Sequence, residues 1–245
     1  MWRDDLRGIF YITLKDLRAY YLKPPNLSWG IMFPLAFTLA FYIRQLGDFQ
    51  ALVPGLLGLT ILFGSTSMAA TVIIFERRIG ALERLFLAPI SLPALVLGKI
   101  FGSMVFGLVT TLAVLTLVVA TVGLWPGNWV LLSLALALST LCFSALGAFV
   151  SAAVREIFEA QTLSNLFRFP MIFLCGVFVP LSNLPPVLQV VARLFPLTYT
   201  VEAVRGAYMG SEIRVIAFDL LILAAYSAPL LFLTTRALAR QMAQG

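Results

Sequence analysis

The stretch Ala94–Val122, A-L-V-L-G-K-I-F-G-S-M-V-F-G-L-V-T-T-L-A-V-L-T-L-V-V-A-T-V, decides the fold class. Beyond Lys99 it holds no charged residue, and it exceeds the ~20 apolar residues a helix needs to cross a hydrocarbon core of ~30 Å. In lipid only a helix or a closed barrel satisfies every backbone donor and acceptor, so this run reads as a transmembrane helix. Outward from it lie further apolar stretches at roughly 27–43, 52–75, 129–150, 166–180 and 215–238. The expectation is an all-α integral membrane protein with six transmembrane helices, forming a single domain over residues 1–245. Composition agrees. Of 245 residues, 61% are hydrophobic and 11% charged, where a soluble domain carries about 25% charged.

The net charge of +6 has a membrane explanation rather than a nucleic-acid one. An even number of spans puts both termini on one side. That side holds Arg3, Arg7, Lys15, Arg18, Lys23, Arg77, Arg78, Arg84, Lys99, Arg155, Arg168, Arg236 and Arg240, against Arg44, Arg193, Arg205 and Arg214 opposite. Basic residues collect on the cytoplasmic side of membrane proteins, so the N- and C-termini are expected there. The chain has no His, and no stretch carries a carboxylate near its midpoint. Ion-driven carriers usually place such a relay inside the bilayer, so the power source of this chain is expected to lie elsewhere. Neither a phosphate-binding G-x-x-x-x-G-K-[ST] loop nor a catalytic constellation is present. Cys142 and Cys175 fall in apolar stretches and read as packing residues, and without His they make no metal site.

Residues 1–24 read as a helix lying in the membrane interface. Trp2, Leu6, Ile9, Phe10, Leu17, Tyr20 and Tyr21 fall on one face and most charges on the other, and Pro24-Pro25 ends the helix. Trp29 and Tyr42 flank the first span, and the Arg44–Gln50 turn is brief. Gly98 and Gly102 make a small-xxx-small pattern of the kind that lets helices approach. Lys99 and Arg168 read as side chains that snorkel to the interface, and 151–165 reads as a polar loop.

Two segments carry functional information. In Glu76–Pro89, E-R-R-I-G-A-L-E-R-L-F-L-A-P, the residues Ile79, Leu82, Leu85 and Phe86 recur at helical spacing while Arg77, Arg78, Glu83 and Arg84 face elsewhere. A short amphipathic helix fits, either an interface element or a helix that docks in a groove of a soluble partner. Pro180–Gly210 is too apolar for an exposed loop and too interrupted for a span. Pro185-Pro186 starts one short helix, and Pro196 separates it from a second at about Tyr199–Met209. Leu188, Val191 and Phe195 give the first an apolar face, and Glu202 and Arg205 sit at i, i+3 on the second. A re-entrant hairpin over 181–210 fits this pattern.

The chain resembles the permease subunits of type-2 ABC exporters, a group that includes drug-resistance, nodulation-factor and polysaccharide exporters. The likeness rests on E-R-R-I-G-A-L-E-R-L-F-L-A-P-I-S followed by Lys99, and on F-R-F-P-M-I-F-L-C-G-V-F-V-P-L-S-N-L-P…F-P-L-T-Y-T-V-E-A-V-R between Phe167 and Arg205. The resemblance implies a coupling helix in the 76–90 region, with Glu76, Arg77, Arg78, Gly80, Leu82, Glu83 and Arg84 in ATPase coupling. It also implies an outer gate containing Pro185, Pro196, Tyr199, Glu202 and Arg205. It further implies a separate cytoplasmic ATPase in two copies that supplies ATP and magnesium, a second permease copy, membrane lipid around both, and a prokaryotic inner membrane. The chain itself would bind no cofactor. The expected function is export of an amphipathic, drug-like or lipid-linked cargo. The alternatives are a polysaccharide or glycolipid exporter and a passive pore or scaffold.

Overall fold

A computed structural model of the chain describes residues 2–23, 32, 36, 39 and 49–242. Helix α1 (Trp2–Asp16) runs into a π-helical turn, Leu17–Tyr21. Then follow α2 (Phe49–Arg78), α3 (Ala81–Phe86), α4 (Leu92–Val122), α5 (Trp129–Ala153) and α6 (Ile157–Leu174). After a short 3₁₀ turn at Leu181–Asn183 come α7 (Pro186–Ala192), α8 (Pro196–Met209) and α9 (Ile213–Met242). No strand occurs among the described residues. The stretch 27–43 with Trp29 and Tyr42, the Pro24-Pro25 stop and most of the Arg44–Gln50 turn lie outside the described residues.

Among the described residues four helices, α2, α4, α5 and α9, are long and apolar enough to cross a membrane, and the bent pair α7 and α8 makes a fifth if counted as one span. The stretch 166–180 falls on α6, which starts at Ile157 and ends at Leu174. The segment 151–165 is therefore mostly helix rather than loop. The physical cause is a capping box: the Glu156 side chain accepts from the backbone at Glu159, while the Glu159 side chain accepts from the backbone of Glu156. Two orphan donors are satisfied reciprocally, and the helix starts there. Glutamate in place of the usual Ser or Thr hid that signal in the sequence.

Helices α2 and α5 form the centre of the bundle. Helix α5 packs against α2, α4, α8 and α9, and α2 also meets α4, α6 and α8. One half of the interior gathers Val53, Leu57, Ile61, Val118, Leu132, Leu197 and Val204. The other gathers Ile12, Ile73, Leu82, Leu95, Ile100, Ala148 and Leu238. Many buried hydroxyls bond within their own helices, as where Thr60 donates to the Leu56 carbonyl and Thr140 to that of Leu136. Such back-bonding lets these polar residues sit in an apolar interior, whereas the hydroxyls of Ser65, Ser144 and Ser164 find no partner among the described residues. Helix α1 is seated on α4. A side chain at Gly98 would press on Ile12, and one at Gly102 on Tyr21 and Asp16. The small-xxx-small motif thus serves as the seat of α1 within this chain.

Candidate functional site

One end of the bundle carries a buried charge cluster. Lys99, near the start of α4, is 2% exposed and so does not snorkel. Its ammonium donates to both carboxylate oxygens of Asp16, at 3.1 and 2.9 Å, and to the Glu76 carboxylate. Lys15 lies on the outer side of the same acids, 3.0 Å from Asp16 and bonded to Glu76. Two cations and two anions therefore join α1, the end of α2 and the start of α4 with no net charge. Burial pushes the Asp16 carboxyl above its usual range; Lys99 and Lys15 pull it back while Glu76 adds to the push. Burial opposes the Lys15 ammonium, but Asp16 and Glu76 outweigh it and hold its pKa above the usual value. The attraction of each pair offsets a desolvation penalty of several kcal/mol per ion only because these hydrogen bonds are complete.

The same end is tied together by directional bonds. Arg77 donates to the carbonyls of Val154 and Ser151, both at 3.1 Å, and so covers orphan acceptors at the negative pole of α5. Arg78 pairs with Glu156 at 2.5 Å, linking the end of α2 to the start of α6. Asp5 accepts from the Ser91 amide at 2.8 Å, linking α1 to the residue that caps α4. Between these ties stands α3. Gly80 precedes it with φ of 66°, a left-handed conformation that favours glycine. Leu82 is buried, whereas Glu83 and Arg84 are exposed.

The residues expected at this end are thus brought together, but not on one continuous helix. Helix α2 runs straight through Glu76, Arg77 and Arg78, and a glycine turn separates them from α3. Glu76 and Leu82 point inward, Arg77 and Arg78 bind neighbouring helix ends, and Glu83 and Arg84 alone of the set project freely from α3. That Lys15, Asp16 and Lys99 cluster with Glu76 escaped sequence reasoning, because contacts 23 to 83 positions apart give no local signal.

At the opposite end α7 and α8 meet at 93°. Pro185 caps α7, and Pro196 is the first residue of α8 rather than a break ahead of it. A proline there fits a position whose amide has no intrahelical partner. The corner is held by hydroxyls: Thr198 donates to the Ala192 carbonyl, Tyr199 to that of Arg193 and Tyr226 to that of Leu194. The Ala192 carbonyl also accepts from the Phe195 amide, while the two tyrosine hydroxyls cover carbonyls just past the end of α7. Glu202 and Arg205 form no ion pair. Arg205 donates instead to the Gly176 carbonyl at 3.2 Å, where the chain turns after α6 at φ 77°. Gly127 packs against the backbone of Ala207 and Tyr208 at this end. Cys142 and Cys175 are buried free thiols.

The family model for ABC-2 type transporters matches residues 7–209. The chain belongs to the ABC-2 type transporter family. It is 24% identical over 220 residues to the inner membrane transport permease YadH of Escherichia coli K12, a match covering 82% of this chain and 85% of that one. It is 30% identical over 118 residues to nodulation protein J of Rhizobium meliloti, covering 47% of this chain and 45% of that one. This ABC-2 chain is therefore an integral inner-membrane transport permease, a membrane component of a transporter rather than a catalytic enzyme. Both ends of the bundle lie inside the matched span, apart from residues 2–6 of α1 and the final helix α9.

Proposed function

We propose that the chain is the membrane subunit of an ATP-driven exporter, working as two permeases with two separate cytoplasmic ATPases that bind ATP and magnesium. The observation that carries this reading is α3. It is a short helix on a glycine turn, anchored inward by Leu82 and presenting Glu83 and Arg84 to solvent. Its neighbours Glu76, Arg77 and Arg78 grip α1, α4, α5 and α6. A partner that moved α3 would therefore move the ends of five helices together. In this reading the segment 27–43 and α6 complete six spans, α1 lies in the interface, α7 and α8 form the outer re-entrant hairpin, and the termini are cytoplasmic. The nucleotide helps only insofar as the ATPases bind one permease state more tightly than the other. The cargo is amphipathic, in keeping with the largely apolar interior of the bundle.

Exposed charges contribute only about 0–1 kcal/mol to folding, while like charges set against each other at an interface are costly. The double change Glu83→Arg with Arg84→Glu is expected to leave accumulation in the membrane normal. Co-purification of the ATPase, or its stimulation by the permease, should fall at least about tenfold, a loss of about 1.4 kcal/mol in coupling. Wild-type ATPase binding and transport in this variant would remove α3 from the coupling role.

Orientation is checked separately. Asn183 and Glu212 are exposed at the hairpin end, and Glu83 at the charged end. In a background lacking Cys142 and Cys175, Asn183→Cys and Glu212→Cys are expected to react with an impermeant maleimide on spheroplasts, and Glu83→Cys only after lysis. The reverse pattern would invert the topology and end the exporter reading.

A further inference from the structure

We infer that Arg168 and the apolar groove along α6 form a binding site for an anionic amphiphile, with its phosphate or carboxylate against the guanidinium and its hydrocarbon chain along the groove. The inference rests on the permease reading above and assigns the charge of its cargo.

Arg168 is 2% exposed, in the middle of a helix packed on α2. One nitrogen, Nη1, donates to the Asn165 side-chain oxygen at 3.3 Å, and the guanidinium carbon lies 5.0 Å from the centre of the Phe63 ring. Its Nε and Nη2 are buried without a hydrogen-bond partner among the described residues, and no described carboxylate pairs with it. The carboxylates on its own helix end, Glu156 and Glu159, cap α6 at least nine residues earlier, about 13 Å along the axis. An arginine cannot shed its proton to escape burial, and a buried charge left unpaired is strongly unfavourable. Lys99, the other fully buried cation among the described residues, is compensated by Asp16 and Glu76. Arg168 is the exception, since no described carboxylate supplies its anion, and that anion comes from a bound ligand.

The second, independent observation is the groove. A hollow of about 750 Å³ runs along α6, lined among others by Phe158, Thr162, Asn165, Leu166 and Phe169 with Glu159 toward the start of the helix, and Arg168 adjoins it through Asn165. That volume is in the range of small-molecule sites. Phe158, Leu166 and Phe169 are exposed there, on one stripe about 16 Å long. Asn165 belongs to both features, since it lines the groove and accepts from Arg168. A charged head replacing or joining the Asn165 amide thus continues directly into an apolar track. The two free donors of a planar guanidinium match two oxygens of a phosphate or carboxylate, and an ionisable residue inside a membrane bundle marks a substrate path by default. Neither a neutral sugar nor a cationic drug satisfies this pair of features.

The test uses the full-length chain in a neutral maltoside detergent, with didecanoyl phosphatidic acid, didecanoyl phosphatidylcholine and inorganic phosphate as probes. The expected result is saturable retention of one phosphatidic acid per chain, at least tenfold tighter than phosphatidylcholine, with inorganic phosphate unable to displace it at equal concentration. Arg168→Gln should lower that retention at least tenfold, and Arg168→Lys less. Without lipid, Arg168→Met should melt no lower than wild type, since it removes an uncompensated charge. Phosphatidic acid should raise the melting point of wild type but not of Arg168→Met. Equal retention of the two lipids, retention unchanged in Arg168→Gln, or full displacement by inorganic phosphate would overturn the site. A lower melting point in Arg168→Met with retention intact would also overturn it. If Arg168-dependent retention is found but no ATPase co-purifies, the exporter reading fails and the site stands. If the ATPase assembles and the lipids are not distinguished, the site fails alone.

Discussion

Replacing Lys99 with Met is expected to destabilise the permease by about 3–5 kcal/mol, the usual cost of removing one partner from a buried ion pair. The change leaves Asp16 and Glu76, both fully buried, sharing the single ammonium of Lys15. That loss is a large part of the 5–15 kcal/mol that holds a typical domain together. The variant should therefore accumulate poorly and melt well below wild type in detergent, as followed by size-exclusion fluorescence. The double variant Lys99→Met with Asp16→Asn keeps one Lys15–Glu76 pair and should recover most of the loss. Acidity supplies a second check. Lys99 lowers the pKa of Asp16, while burial and Glu76 raise it. Without Lys99 the folded carboxyl lies further above its ordinary 3.8, so folding favours its protonated form. Stability of the single variant should then rise as pH falls through the raised value toward 3.8. A single variant as stable as wild type, or a deficit indifferent to both rescue and pH, would mean the cluster does not hold α1 to the bundle.

How much of this was legible in the chain depends on the range of the interaction. Helices α2, α4, α5 and α9 were readable because apolarity sustained over a bilayer thickness is a one-dimensional signal. The α7–α8 corner was readable in outline because Pro186 and Pro196 constrain their own backbone. Its cement was not, since the Tyr226 hydroxyl reaches Leu194 from 32 residues away. The start of α6 was misread as loop because charge was taken for solvent exposure, whereas Glu156 and Glu159 spend theirs on the helix amides. The same assumption hid the buried cluster. Lys99 and Arg168 sit near the ends of apolar stretches, where a long side chain usually reaches the headgroups. Among the described residues Lys99 meets two acids and Arg168 meets none, a contrast that only tertiary structure can reveal. At the charged end, the amphipathic spacing of 76–89 gave Leu82 its inward direction correctly, but it did not show that Gly80 divides the segment between two helices.

That division makes Gly80 the second sensitive position. With φ of 66° it lies where a proline ring, fixed near −65°, cannot go, and where most side chains cost about 1–2 kcal/mol. Gly80→Pro must rotate α3 away from its seat, which withdraws Leu82 from the cluster with Ile12, Ile73 and Leu95 and swings Glu83 and Arg84 off their present line. The ties made by Glu76, Arg77 and Arg78 lie before the turn and survive. The bundle should therefore insert, while cargo transport and stimulation of the ATPase fall at least tenfold. Asparagine tolerates the left-handed region far better than other side chains, and a side chain at this position has open space, with Glu83 its nearest contact at 3.7 Å. Gly80→Asn should accordingly keep near-normal activity, and Gly80→Val should resemble Gly80→Pro. The ordering Asn above Val and Pro, measured as ATP hydrolysis and vesicle uptake by the reconstituted complex, separates a requirement for this backbone conformation from a general intolerance of change. If proline and asparagine behave alike, the direction of α3 has no part in coupling, and movement must enter the membrane helices through the charge cluster instead.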